Sequence, residues 1–134
     1  MQRLTEELSI GRPQVARAKF WEPRIDLCED EQRFFLKAEI AGVRAEDIHL
    51  LYLPDRHSLL IRGVRIEEDP TDGCRTGIYQ LEIYYGEFQR EVVLPDTPVM
   101  ADGIRAQFRN GLLLVVIPKR ESAVLKTSSK ATNT

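Results

Sequence analysis

Asn110-Gly111 is the strongest local constraint in the chain. A two-residue type I′ turn needs φ > 0 at both central positions, and Asn and Gly accept that at low cost. The dipeptide separates two runs suited to strands. In 104–108, Ile104, Ala106 and Phe108 alternate with Arg105 and Gln107; 112–117 is apolar at every position. The pattern predicts a hairpin, with Pro118 stopping the ladder and both faces of the second strand covered.

The same period of two recurs along the chain. Phe34, Leu36, Ala38 and Ile40 alternate with Arg33, Lys37 and Glu39, with Phe35 interrupting the polar face. Ile48, Leu50 and Tyr52 alternate with Asp47 and His49, although Leu51 and Leu53 are apolar too. Pro54-Asp55 opens a turn, and 58–62 returns as a strand. Phe88, Val92 and Leu94 alternate with Gln89 and Glu91, Val93 being the exception. Seven or eight short strands punctuated by turn formers, with no long helical period, predict an all-β sandwich. The stretch 64–77 is the one long loop; it holds Glu67-Glu68-Asp69 and the turn formers Pro70, Asp72, Gly73 and Gly77. A loop of that length in a compact domain is functional or disordered.

Three segments differ in character. Residues 1–21 form an N-terminal arm, with Leu4, Leu8 and Ile10 on one face of a short helix that Gly11 and Pro13 end. Phe20 and Trp21 close it beside Pro23. Residues 22–118 form the body. Residues 119–134 form a tail with four basic residues and one acidic, a charge of +3, which leaves −5 for the rest. Its only apolar cluster is Ala123-Val124-Leu125, too little to order it alone. At 134 residues the chain is one domain's worth and can bury about two-thirds of its unfolded surface, enough for a core without staples.

The sequence offers little chemistry. Nineteen Lys and Arg against twenty-one Asp and Glu leave no basic excess for a phosphate backbone, so no nucleic-acid partner is expected. No apolar run approaches the ~20 residues of a membrane span, and the N-terminus does not read as a secretory signal. A cytoplasmic chain without a membrane partner is the expectation. Cys28 and Cys74 fit no metal spacing and read as unpaired thiols; His49 and His57 read as solvent-facing. No nucleophile elbow and no phosphate-cradling loop is present, so neither an enzyme nor a cofactor is expected. The carboxylate clusters read as solvated turn residues. What is left is apolar surface beyond the needs of one interior, notably Leu50-Leu51, Leu53 and 112–117. Two readings stay open: burial on both sides within one domain, or a groove or edge that takes another chain by strand addition.

Five blocks in order resemble the small heat-shock proteins, the family built on the alpha-crystallin domain, and its bacterial and plant branch in particular. They are Trp21-x-Pro23-x-Ile25-Asp26-Leu27; Ala38-Glu39-Ile40-Ala41-Gly42-Val43 with Glu46-Asp47-Ile48; Leu59-x-Ile61-x-Gly63-x-Arg65; Glu82-x-x-Tyr85-Gly86-x-Phe88-x-Arg90 with Leu94-Pro95; and Ala106-x-x-x-Asn110-Gly111-Leu112-Leu113-x-Val115-x-Ile117-Pro118-Lys119. The resemblance implies an immunoglobulin-like sandwich of two antiparallel sheets and a homodimer built by strand exchange. Ile78, Tyr79, Gln80, Leu81 and Glu82 would cross to a partner, and Arg24, Ile25, Asp26, Leu27 and Cys28 would receive them. Cys74 and Cys28 would then approach across the dimer. It implies ATP-independent capture of unfolding clients, with client contacts on Leu4, Leu8, Phe20 and Trp21. It also implies a groove for clients or tails, with Ile48 and Leu50 as one outward-facing wall and Ile104 and Ala106 as the other.

The chain departs from the family pattern in places. Ala41 replaces a usual Pro, Ile83 a usual basic residue, and the tail lacks the paired isoleucine anchor. Weak or absent assembly beyond the dimer is therefore expected. The alternative to a holdase is a co-chaperone-like adaptor that binds one folded partner, which would be monomeric and lack the crossing strand.

Overall fold

The computed structural model describes residues 20–120. Within them lie seven strands: β1 (Ile25–Glu29), β2 (Arg33–Glu39), β3 (Ile48–Leu53), β4 (Ser58–Arg65), β5 (Gly86–Val93), β6 (Arg105–Arg109) and β7 (Leu112–Pro118). Single turns of 3-10 helix at Ala45–Asp47 and Ala101–Gly103 precede β3 and β6. The strands form two antiparallel sheets, one ordered β1-β2-β7-β6 and the other β3-β4-β5. The predicted sandwich is therefore present. The arm's helical stretch and the tail's Val124 and Leu125 lie outside the described residues.

Alternation fixes what is buried. Phe34, Leu36 and Ala38 of β2 and Leu113, Val115 and Ile117 of β7 point inward and are buried. They meet Leu59 and Ile61 of β4 and Phe88 and Val92 of β5 from the facing sheet. Burying a side chain of this size is worth about 1.5–3 kcal/mol, so this interleaved layer is the main source of stability. Leu112, Leu114 and Val116 take the opposite parity and are only half-buried, so the outer face of β7 is less covered than an all-apolar run suggests. Asn110 (φ 55°) and Gly111 (φ 79°) both adopt positive φ, as the hairpin requires. The Ile40 amide donates to the Gly111 carbonyl at 2.9 Å and ties this hairpin to the end of β2.

Several boundaries differ from expectation. Pro118 is the last residue of β7, opposite Arg33, and Lys119 beyond it still bridges Val99. The strand read as 104–108 runs 105–109, with Ile104 just ahead of it. β4 continues to Arg65, and the loop then runs without a strand to β5. His57, expected in solvent, is half-buried. With φ at 50° its ring folds back, so Nδ1 meets the Tyr52 hydroxyl at 2.8 Å and Nε2 the carbonyls of Pro95 at 3.0 Å and Thr97 at 2.9 Å.

Gly63 sits opposite Phe88 in the β4–β5 ladder. A Cβ there would overlap the Asp47 carbonyl oxygen and lie 2.6 Å from the Phe88 ring. Gly63→Ala should therefore destabilise the sandwich by about 2 kcal/mol or more, seen as a lower urea midpoint at unchanged slope. An unchanged midpoint would contradict this packing.

Candidate functional site

The two open sheets leave four edges, and three sets of apolar residues collect around them. The first set lies on the connection from β4 to β5. Of the large apolar side chains exposed in the described residues, seven belong to it: Ile66, Ile78, Tyr79, Leu81, Ile83, Tyr84 and Tyr85. Tyr79 is 95% exposed. Residues 78–82, expected as a crossing strand, form no strand in the single chain; they have no sheet to join and are exposed. Sequence reading placed the loop at 64–77 and missed the outward apolar residues at 66 and 83–85. The available signal was the density of aromatic and aliphatic residues between Gly77 and Gly86.

The loop's tip, by contrast, is locally built. Asp69 accepts from the Thr71 hydroxyl at 2.7 Å, the Thr71 amide at 2.9 Å and the Gly73 amide at 3.1 Å. Arg75 bridges Glu67 at 2.7 Å and Asp69 at 3.3 Å. The Thr71 hydroxyl first, then the two amides and Arg75, hold the Asp69 carboxyl down at about 2. So the charged cluster read as solvated turn residues is a capped turn that organises its own end of the loop.

The second set is β1. It forms one edge of the four-stranded sheet. Ile25 and Leu27 point inward and are half-buried, while Asp26, Cys28 and Arg24 are exposed. Arg24 lies one residue before the strand, but its carbonyl accepts from Glu39 at 3.0 Å, so it is in register. Cys28 and Cys74 are both unpaired and exposed.

The third set is Ile48, Leu50, Ile104 and Ala106. The register puts Ile48 and Leu50 on the face of Gly63 and Ile61, and Ala106 on the face of Val115. Ile48, Leu50 and Ala106 therefore point inward, not outward as expected. Alternation defines two faces but not which one meets the partner sheet. Ile48, Leu50 and Ile104 pack half-buried against the core, and Ala106 is exposed. Trp21 bridges β5, and Arg90 of β5 donates to the Pro23 carbonyl at 2.9 Å, so β1 lies beside β5. The strand orders then leave β3 and β6, the strands that carry or adjoin these four residues, as the edges on the opposite side. Phe20 is 43% exposed and Trp21 half-buried; Leu4 and Leu8 lie outside the described residues.

The other candidates for chemistry are dispersed. His49 stands on the outer face beside Arg62 and Gln89. Glu46 and Asp47 pair with Arg44 at 3.9 and 3.3 Å. Asp30 accepts from the Gln32 amide, the Arg33 guanidinium and the Arg33 amide, which lower its pKa in that order. No helix in the described residues is long and apolar enough to cross a membrane.

The Asp69 turn generates a pH prediction. Its folded-state value lies below the ordinary 3.8, so the turn is fully favoured above 3.8 and is lost as pH falls through about 2. The Gly73 amide shift should titrate with a midpoint near 2; a midpoint near 3.8 would show that the turn does not form.

The profile of the Hsp20/alpha crystallin family matches residues 26–131. The chain is 35% identical to small heat shock protein C2 of Rickettsia felis over 99 residues, 74% of this chain and 61% of that one. It thus spans about three-fifths of that relative's length. Among solved structures it is similar to heat shock protein 16.0 from Schizosaccharomyces pombe, with 32% identity and a TM-score of 0.68 over 78% of this chain and 71% of that one. It is also similar to hspA from Xanthomonas axonopodis, with 37% identity and a TM-score of 0.62 over 75% and 95% of the two chains.

Proposed function

Because the chain belongs to the Hsp20/alpha crystallin family, we propose that it is a chaperone of the holdase type, which binds unfolding proteins and suppresses their aggregation without ATP. The observation that carries this reading is the concentration of exposed apolar side chains on one loop, beside sheet edges that are open in the single chain. Apolar surface on an unfolding client is driven onto apolar surface here by the hydrophobic effect, which needs no sequence match. Each contact is modest, and several on one assembly act together through high effective concentration. The sequence carries no phosphate-cradling motif, in keeping with a cycle that uses no nucleotide.

The building block in this proposal is a symmetric homodimer in the cytoplasm. Residues 78–82 of each chain cross to pair with 24–28 of the other. Symmetric exchange covers two β1 edges and two apolar loops at once. In the same proposal a groove between β3 and β6, with Ile48 and Leu50 on one wall and Ile104 and Ala106 on the other, receives clients or tails, and the arm through Leu4, Leu8, Phe20 and Trp21 adds client contacts. Residues 1–21 and 119–134 act as an arm and a tail around the 22–118 body.

Two measurements test these proposals. Turbidity of a heat-labile client at equimolar protein should fall sharply, equally with and without ATP. Unchanged aggregation would reject the holdase, and protection that required ATP would reject the mechanism. Deleting residues 67–82 and closing the gap should give monomers by light scattering, whereas a persisting dimer would reject strand exchange.

A further inference from the structure

Trp21 is tied to two elements at once. Its backbone adds a rung to β5: the Trp21 amide donates to the Glu87 carbonyl at 3.1 Å, and the Gln89 amide donates to the Trp21 carbonyl at 3.0 Å. Its indole faces the exit of the 66–85 loop. Nε1–H donates to the Gly86 carbonyl at 3.2 Å, and the ring stacks on Tyr84 with centroids 6.4 Å apart and leans on Phe88 at 5.0 Å.

Arg65, the last residue of β4, stands at the loop's entry. Its guanidinium lies 4.2 Å above the indole. The same group donates to the Tyr84 carbonyl from two nitrogens at 2.9 and 2.6 Å, and to the Ala41 carbonyl at 2.9 Å. Entry and exit of the loop are therefore clamped together on a ring that the end of the arm supplies. Gly86, the ladder partner of Arg65, turns the chain at this exit with φ +91°.

The geometry points to Trp21 as a latch that couples the arm to the loop: the rung on β5 and the clamp on the loop's ends open and close together. An unfolding chain that draws the arm away removes the platform beneath Arg65 and frees the loop. A loop drawn toward a partner loosens the rung in return, since coupling between two sites is reciprocal. The use of the latch in client capture rests on the proposed function; the coupling itself lies within one chain.

The test uses the full chain and reads each end of the latch while perturbing the other. Arg65→Ala changes no atom of the rung, and it should speed amide exchange at Gln89 about tenfold, the scale of losing a cation–π contact with charge-assisted hydrogen bonds. Trp21→Ala changes no atom of the loop, and it should speed tryptic cleavage after Arg75 about tenfold. The double variant should be cleaved within about twofold of the faster single one, because one latch opens only once. Gln89 exchange in Arg65→Ala within twofold of the parent, or additive effects in the double variant, would overturn the coupling. Should either alanine variant lose exchange protection in β2 and β7, Trp21→Phe and Arg65→Lys decide instead. Each should give about threefold effects on the opposite end, and no effect there would overturn the proposal. Aggregation suppression lost with the coupling intact would count against the proposed function alone.

Discussion

An open sandwich of four strands on three cannot satisfy all of its backbone. Each of the four edge strands presents a row of N–H and C=O groups, and each edge left bare is a template for another chain. Much of the rest of this molecule is arranged around that constraint. β5 has part of its edge capped by the Trp21 rung. β1 keeps short, with charged and polar residues at Asp26, Cys28 and Glu29 on its exposed positions. Near the β3 and β6 edges, Ile48, Leu50 and Ile104 pack half-buried against the core. Inward positions near an edge are therefore apolar yet incompletely covered.

The connection from β4 to β5 reverses the usual logic of a loop. Loops are polar because water satisfies their backbone, yet this one carries seven large apolar side chains in solvent. Order is built at its two ends by different means. Hydrogen bonds and ion pairs around Asp69 shape the tip, and aromatic stacking with Arg65 fastens the base. Between them the chain is held only by its ends.

Strand existence was legible wherever alternation and turn chemistry agreed, as in β2, in β7 and at Asn110-Gly111. Each of those signals is local, and the core repeats it. The sense of a face was not legible: Ile48 and Ala106 alternate equally well whether they point in or out, and only the partner sheet decides. The outward residues at 83–85 were missed because they follow 78–82, whose strand-like composition gives no sign of where an exposed stretch ends. The small helical turns at 45–47 and 101–103 are too short to carry a period. His57 and the Trp21–Arg65 cluster join residues far apart in sequence, so no window of neighbouring residues contains them.

The clamp at the loop's base has a consequence for how such a chain can vary. Closing a loop costs entropy that grows only with the logarithm of its length, about 0.6 kcal/mol for each doubling. With Arg65 and Tyr84 fixing the anchor points, residues can be added or removed near the Asp69 turn at almost no expense to the sandwich. Reach is thereby separated from stability. How far the exposed apolar residues stand from the sandwich is set by a stretch of chain that the fold itself hardly feels.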